Sequence, residues 1–346
     1  MTSRLKALAH RLDAPLLVTN LFNILYLTGF DTSNAGLLVE PRGNATLFTD
    51  FRYIEAARAV EGVEAKLAKR SLLDDIAPQL PEGVQFEADA LPYAQWQKLN
   101  RAKLRAKATQ GIVEELRSVK DAEEQQAIRR AARIADRAFE ALTAETFVGR
   151  TEKEVAWRLR ELMHAHGADD FSFDPVVGAG PNGALPHAVP TDRLIETRML
   201  VVVDFGVRVD GYCSDCTRTL STGAIPDRLR RAYDVCLAAQ QAAVAGIRPT
   251  MTGVEADRIA RALIESEGFG DAFGHGLGHG VGLEVHEAPR LTTESVDTLQ
   301  TGNVVTIEPG IYLEGVGGVR IEDLAIVTDD GVDVVTSFPK SLVEVG

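Results

Sequence analysis

The stretch MLVVVDFGVRVDGYCSDCTRTLST, residues 199–222, predicts a β-hairpin that presents acidic side chains. A β-branched run leads to Asp210-Gly211, a pair that favours a two-residue turn, and a second run returns from it. With this turn, Asp204 faces Thr217, and Asp215 lies diagonally from Asp204 on the same face. A turn one residue earlier would place the two carboxylates directly opposite each other. Either register puts them side by side.

A second hairpin is predicted in NVVTIEPGIYLEGVGGVRIEDLAIVT, residues 303–328. Its loop is expected to contain three glycines, Gly315, Gly317 and Gly318. Glu308 and Glu322 are equidistant from Gly315 and should therefore share one face. Arg320 precedes Glu322 by two positions and points the same way.

Four carboxylates aimed into one cleft repel one another unless cations neutralise them. One of these acids alone is compatible with a turn or surface role, but their pairing in two similar hairpins favours a site. An oxygen-rich set with some imidazole suits divalent ions, Mn²⁺ first, with Co²⁺, Zn²⁺ or Fe²⁺ also open. A carboxylate that bridges two ions about 3.5–4 Å apart can hold a hydroxide between them as the nucleophile.

The stretch FGHGLGHGVGLEVHE, residues 273–287, has glycine at every second position from Gly274 to Gly282. This alternation predicts an extended backbone, with 275, 277, 279, 281 and 283 on one face and another segment close to the glycines. His275 and His279 then share a face, and one of them suffices as a ligand. His286 has the opposite parity, so a kink or bulge is needed to turn it towards the site.

Among the remaining histidines and the cysteines, only His187 is predicted to be functional. His187 lies on a Gly/Pro-rich loop with no helical or strand pattern, which favours a functional role, whereas His10, His164 and His166 are expected to be structural. Cys213 and Cys216 fall on opposite faces of a strand and lack a second pair, so neither a redox nor a zinc site is predicted.

A chain of 346 residues favours two domains. Residues 1–112 predict a small α/β domain, with strands in APLLVTN, GLLVEPRGNATLFTD and VEAKLAK and helices in DFRYIEAARAV and AQWQKLNRAKLRAK. Residues 113–346 contain an internal repeat, in which a capped helix (Thr151 with Glu154, Thr252 with Glu255) follows another helix and precedes strands. Asp121 and Glu124 predict one more capping box. Two similar halves create a cleft for ligands.

Charge and apolar patterning restrict the partners. A net charge of −13 argues against nucleic-acid binding. No apolar run is long enough for a signal peptide or a membrane span, so no membrane association is expected. With three cysteines, too few for a disulfide framework, the composition predicts a cytoplasmic protein.

Five motifs in order, PHAVPTD, VVDFGVRVDGYCSDCTRT, GHGLGHGVGLEVHE, TIEPGIY and VRIED, resemble the pita-bread metallopeptidases. They most resemble the Xaa-Pro branch, prolidase and aminopeptidase P, over residues 115–346. NILYLTGFDTSNAGLLVE and ATLFTDFRYIEAA resemble the smaller N-terminal domain of these enzymes. The resemblance implies an α/β (α+β) fold: a pita-bread catalytic domain with an internal pseudo-twofold repeat, preceded by a smaller α/β creatinase-like domain.

The resemblance also implies the roles of individual residues. The metal ligands would be Asp204, Asp215, His279, Glu308 and Glu322, with Asp215 and Glu322 bridging two divalent ions. His187 and His286 match histidines that contact the substrate and stabilise the tetrahedral intermediate, and Glu308 would be the proton shuttle. His275 and Phe173 match positions that line the substrate pocket, and Arg320 matches an arginine that orients the carboxylates.

The implied reaction is hydrolysis of small peptides before a proline at the second position. A metal-bridging hydroxide attacks the carbonyl, and Glu308 passes a proton to the imide nitrogen. A homodimer is implied as well. Dipeptidase and aminopeptidase activity remain open, with Arg290 a candidate for binding a free proline carboxylate. A methionine-type aminopeptidase, a creatinase-like enzyme and a non-catalytic peptide-binding module would share the fold, and the complete ligand set argues against the last two.

Overall fold

The computed structural model describes residues 2–69 and 71–346. The chain divides into two compact units, Met1–Arg117 and Ser118–Gly346. The boundary predicted at 112 falls within the helix Ile112–Ser118. The domains 1–112 and 113–346 therefore stay a prediction.

Unit 1 is built on one mixed sheet. Its strands are β1 Leu16–Val18, β2 Ala35–Val39, β3 Ala45–Thr49, β4 Glu64–Leu67, β5 Gln85–Glu87 and β6 Lys107–Thr109, in the order β4-β3-β2-β1-β5-β6. Its helices are α1 Ser3–Arg11, α2 Leu21–Thr28, α3 Ile54–Ala57, α4 Leu72–Ile76, α5 Tyr93–Arg101 and α6 Ile112–Ser118. Alternating strand residues such as Leu17, Phe48 and Phe86 form a core with Leu99 of α5.

Several elements of unit 1 differ from the prediction, and α1, α4, β5 and β6 were not predicted. The helix predicted over DFRYIEAARAV is a single turn, α3. The helix predicted to reach Lys107 ends at Arg101, because Lys103 and Arg105 adopt positive φ and the chain then forms β6. Helix α2 was not predicted from periodicity; Asn20 caps its start and Gly29, in the left-handed conformation, ends it.

The helices of unit 2 follow the predicted repeat. They are α7 Ala122–Thr143, α8 Glu152–Ala165, α9 Asp227–Gly246 and α10 Gly253–Ser266. The three predicted capping boxes are present before α7, α8 and α10. Each box satisfies backbone N–H groups that a helix start leaves unpaired, so local side-chain chemistry determines where these helices begin.

The strands of unit 2 form paired ladders. They are β7 Asp170–Phe171, β8 Val176–Ala179, β9 Leu200–Phe205, β10 Val207–Val209, β11 Tyr212–Cys213, β12 Cys216–Ser221, β13 Gly278–Gly280, β14 Glu287–Leu291, β15 Val304–Ile307, β16 Gly310–Leu313, β17 Gly317–Arg320, β18 Asp323–Val327 and β19 Val332–Val334. The sheet orders are β11-β10-β7, β12-β9-β8, β14-β13-β15-β18-β19 and β16-β17. Gly317 and Gly318 lie in β17 rather than in the hairpin loop, which corrects the prediction.

Two hydrophobic cores support the two halves. Helices α7 and α8 pack with β8, β9 and β12, whereas α9 and α10 pack with the strands of the second half. Cys213, Cys216 and Cys236 are buried free thiols. Across residues 2–69 and 71–346, no helix has both the length and the apolar character needed to cross a membrane.

Candidate metal centre

The residues predicted to form a site line one cavity of unit 2. Its volume is about 400 Å³. All ten of the predicted side chains contribute to its wall: Phe173, His187, Asp204, Asp215, His275, His279, His286, Glu308, Arg320 and Glu322. The fold therefore brings all ten predicted side chains together at one cavity.

The first hairpin has the first of the two predicted registers. Thr217 pairs with Asp204 in the β9–β12 ladder, and the Asp210-Gly211 turn has φ of 52° and 83°. Positive φ at both central residues defines the turn that matches strand twist. Asp204 is the second-last residue of β9, and Asp215 lies diagonally from it, immediately before β12.

The second hairpin places Glu308 and Glu322 at matching positions. β15 pairs with β18 and β16 with β17 in one register, in which Ile307 faces Asp323 and Gly310 faces Arg320. Glu322 joins the two hairpins, since its N–H donates to the carbonyl of Thr217 over 3.0 Å. The Thr217 hydroxyl donates in turn to Glu322 Oε2 over 2.7 Å.

The glycine alternation is explained by close backbone contacts. A Cβ at Gly278 would overlap the carbonyl oxygen of Thr306, and one at Gly280 would overlap that of Ala288. The extended face is shorter than predicted, because only 278–280 forms a strand. A register shift between His279 and Gly280 interrupts the pairing with β14. This irregularity is the kink predicted for His286, whose ring centroid lies 4.3 Å from that of His279.

His279 faces the carboxylates through Nε2. Its Nδ1 lies 3.1 Å from the carbonyl oxygen of Gly280, which can only accept, so Nδ1 carries a proton. Nε2 lies 3.2 Å from Glu308 Oε1 and 3.7 Å from Asp215 Oδ2. A neutral imidazole would direct a lone pair at these oxygens. The contact is favourable when Nε2 is protonated or when a cation lies between the groups.

The donor set fits divalent cations. Ligand atoms of Asp215, His279 and Glu322 all lie within 4.8 Å of one another. Asp204 Oδ1 is buried and lacks a hydrogen-bond partner among the described residues. Burial, then the charges of Glu322, Asp204 and Glu308, raises the pKa of Asp215 well above its ordinary value. Burial, then Glu308 and Asp204, does the same to the pKa of Glu322. Bound cations would relieve this repulsion.

Arg320 holds several parts of the site together. Its Nη2 donates to Asp204 Oδ2 over 2.6 Å, and Nε donates to the Thr217 hydroxyl over 3.0 Å. Its Nη1 donates to the Tyr312 hydroxyl over 2.9 Å and to the carbonyl of Pro186 over 3.0 Å. The last bond fixes the backbone next to His187. Arg320 thus reaches both hairpins and the loop that carries a predicted substrate-binding histidine.

His275 is held by neighbours on both ring nitrogens. Nδ1 lies 2.8 Å from the carbonyl of Gly276, and Nε2 lies 2.9 Å from the Tyr312 hydroxyl. Because the carbonyl requires a proton on Nδ1, Nε2 accepts from Tyr312, which in turn accepts from Arg320. Burial lowers the pKa of His275, which favours this neutral form. The side chain can present ring carbon atoms to a ligand, but both of its ring nitrogens are already engaged in hydrogen bonds.

Three further residues position the site and were not predicted. The Thr306 hydroxyl accepts from His279 N over 3.0 Å and donates to Glu308 Oε1 over 3.1 Å. Tyr312 and Thr217 make the contacts given above. Each carried a usable signal: Thr306 and Tyr312 have the parity of Glu308 within the hairpin, and Thr217 faces Asp204 in the predicted register.

Family models match both units. Residues 126–329 match metallopeptidase family M24, and residues 4–119 match the Creatinase/Prolidase N-terminal domain. The chain belongs to metallopeptidase family M24. Its resemblance to the pita-bread enzymes and its predicted fold class are thereby confirmed.

Individual proteins resemble the chain along almost its whole length. An uncharacterised peptidase of Bacillus subtilis is 42% identical over 337 residues, 95% of each chain. An Xaa-Pro dipeptidase from Bacillus anthracis has a TM-score of 0.93 at 38% identity, with 98% of each chain covered. An X-Pro aminopeptidase from Thermotoga maritima has a TM-score of 0.85 at 32% identity, with 95% of this chain and 97% of that one covered.

Proposed function

We propose that this M24 metallopeptidase is an Xaa-Pro dipeptidase that uses two divalent cations. The observation that carries this proposal is the convergence of four acidic side chains and His279 on one cavity of peptide size. Similarity to the Bacillus anthracis Xaa-Pro dipeptidase supports the substrate class.

The cations would be held by side chains of both hairpins and by His279 of the segment 273–287. The proposed ligands are Asp204, Asp215, His279, Glu308 and Glu322, with Asp215 and Glu322 shared between the two ions. The oxygen-rich set favours Mn²⁺. When bound, such ions polarise the scissile carbonyl and activate water.

Glu308 is the proposed proton carrier. Burial favours its neutral form, but the hydrogen bond and charge of His279 outweigh burial and lower the pKa of Glu308 to about 2. Bound cations would favour the anion in the same way as the contact with His279 does, so Glu308 would be able to accept a proton. Thr306 occupies Oε1, which leaves Oε2 to take the proton and pass it to the imide nitrogen of proline.

His187 and His286 are the proposed contacts to the reacting carbonyl. Both line the cavity and keep exposed surface. Burial, then the neighbouring charges of His279 and Arg290, lowers the pKa of His286 to about 4. A neutral imidazole can donate one hydrogen bond to a developing oxyanion. Phe173 and His275 would supply apolar and ring-edge contacts to the side chains of the peptide.

Arg290 favours a dipeptidase over an aminopeptidase. It lines the cavity beside His286, and its guanidinium has no hydrogen-bond partner among the described residues. A free arginine at this position suits a proline carboxylate, which a dipeptide presents and a longer peptide does not.

The match of residues 4–119 to the Creatinase/Prolidase N-terminal domain argues against a methionine-type aminopeptidase. Location in the cytoplasm and assembly as a homodimer remain proposals that rest on composition and on the family resemblance.

Hydrolysis of Ala-Pro and Ala-Pro-Ala by the Mn²⁺-loaded protein tests the proposal. Fast cleavage of Ala-Pro with little cleavage of the tripeptide is expected. Arg290→Met should raise KM for Ala-Pro, and Arg290→Lys should raise it less because the lysine keeps a positive charge. Preferential cleavage of the tripeptide would assign an aminopeptidase instead. Cleavage of neither peptide by the loaded protein would rule out the Xaa-Pro assignment.

A further inference from the structure

Lys120 and Glu287 form a buried ion pair in unit 2. Lys120 Nζ contacts Glu287 Oε1, and their side chains are 1% and 6% exposed. Lysine and glutamate are seldom buried to this extent unless they are paired. The two residues lie 167 positions apart in the sequence, so the pair joins distant parts of the chain. Neither residue belongs to the proposed catalytic machinery.

Glu287 directly follows His286 in the chain, at the end of the segment that turns His286 towards the site. It begins β14 and pairs with Gly280, at the register shift that follows His279. Its carboxylate packs on the backbone of the turn, because a Cβ at Gly282 would overlap it. Glu287 therefore contacts the start of the irregular segment 281–286 in two ways, through backbone pairing with Gly280 and through packing of its side chain against Gly282.

Lys120 lies on backbone that is itself held in place. Its N–H donates to the carbonyl of Gly302 over 2.9 Å, and Val119 forms a β-bridge with Asn303. The Asn303 side chain donates to the carbonyl of Ser118 over 2.9 Å. Residues 118–120 are thus attached to the chain immediately before β15, the strand that leads to Glu308. These backbone contacts hold Lys120 in position, and its ammonium group in turn positions the carboxylate of Glu287.

We propose that Lys120 is a positioning residue that acts through Glu287 to hold His286 against His279. This inference rests on the proposed function, in which His286 contacts the reacting carbonyl. Loss of the ammonium leaves a buried carboxylate that is drawn towards water. Without the ion pair the side chain of residue 287 is no longer anchored, and the adjacent His286 would lose its place over His279.

Kinetics of Lys120→Met with Ala-Pro are the first test. A displaced catalytic group should lower kcat about 10- to 100-fold, with KM little changed, and Lys120→Arg should restore part of the activity. In a His286→Ala background, Lys120→Met should cause no further loss of kcat, because both changes remove the same contribution. Lys153→Met, at an exposed pair with Asp192, is the matched control and should retain wild-type kcat.

Histidine ring ¹⁵N shifts of the metal-free protein provide a readout that does not depend on activity. Lys120→Met should move the His286 signals and leave those of His164 unchanged. If Lys120→Met does not fold, Lys120→Met/Glu287→Met removes both charges; it should fold and show the same loss of kcat and the same ¹⁵N shifts.

Wild-type kcat with unshifted His286 signals in either folded variant would overturn the proposal. A loss that multiplies with that of His286→Ala would overturn it as well. If the wild-type protein cleaves no Xaa-Pro peptide, the proposed function fails, and the ¹⁵N shifts alone decide whether Lys120 positions His286.

Discussion

Arg320 donates a hydrogen bond from Nη2 to Asp204 Oδ2 over 2.6 Å, and this bond joins the two hairpins that bring the acidic side chains together. Only one oxygen of Asp204 is engaged in this way. The second oxygen, Oδ1, lacks a hydrogen-bond partner among the described residues and is the atom proposed to bind a cation. The arginine therefore determines which oxygen of Asp204 faces the cavity.

Replacement of Arg320 by lysine should weaken cation binding. Lysine cannot reproduce the fork that contacts Asp204, Thr217 and Tyr312 together. Loss of a residue that orients ligands typically costs about 10–100-fold in metal affinity. Calorimetric titration with Mn²⁺ measures this loss, and Arg130→Lys, at an exposed pair with Asp210, is the control. Equal affinity in the two variants would contradict the role given to Arg320.

Replacement of Gly278 by alanine should destabilise the segment 273–287. The added methyl group overlaps the carbonyl of Thr306, and such overpacking costs about 1–3 kcal/mol. Mn²⁺ affinity should fall too, because His279 is the next residue. Urea unfolding and Mn²⁺ titration measure both effects. Gly274→Ala is the matched control, since no atom lies within 4 Å of a Cβ there; a similar loss in both variants would contradict the explanation of the glycine alternation.

The acidic residues of the site could be placed from local sequence patterns. The Asp210-Gly211 turn and period-two alternation place Asp204 beside Asp215, and the spacing around Gly315 places Glu308 opposite Glu322, because hairpin register follows from local turn chemistry. The meeting of the two hairpins at one cavity depends instead on contacts between them. The capping boxes likewise located the starts of α7, α8 and α10.

Features that depend on contacts between distant segments were missed. Helix α5 was predicted too long because left-handed conformations at Lys103 and Arg105 have no local signal. The ion pair of Lys120 with Glu287 was missed because each residue alone resembles an ordinary surface charge. The hydrogen bonds of Tyr312 depend on how the second hairpin packs, which the sequence pattern does not give.

Replacement of Arg218 by methionine should strongly destabilise unit 2. Arg218 Nη2 donates to Asp323 Oδ1 over 2.8 Å, with side chains 3% and 1% exposed, and Nη1 contacts the carbonyl of Glu322. Removal of one partner of a buried pair costs about 3–5 kcal/mol. Arg158→Met, at a more exposed pair, should cost about 0–1 kcal/mol. The free energy of unfolding in urea distinguishes the two, and equal values would contradict the buried role of Arg218.

The stability of unit 1 should depend on the ionisation of Glu87. This carboxyl accepts hydrogen bonds from Thr19 N, Asn20 N and the Asn23 side chain. Burial outweighs these bonds and raises the pKa of Glu87 from its ordinary 4.5 to about 7. The folded protein keeps this proton up to about pH 7, whereas the unfolded chain releases it near 4.5. Stability from this group therefore falls as pH rises through that window.

The variant Glu87→Gln isolates this effect, because an amide does not titrate. The difference in unfolding free energy between wild type and variant should change by about 3 kcal/mol across the window, in favour of the variant at high pH. Urea unfolding at several pH values measures the difference, with Glu64→Gln on the exposed part of β4 as the control. A difference that does not vary with pH would show that Glu87 is already charged in the folded protein.

Hydrolysis of Ala-Pro during Mn²⁺ titration tests the central claim most directly. Chelator-treated protein should be inactive, and activity should rise and saturate as two equivalents of Mn²⁺ bind. Asp215→Asn, which changes a carboxylate proposed to be shared by both ions, should remain inactive at every Mn²⁺ concentration. Cleavage without metal, or full activity in Asp215→Asn, would contradict the account.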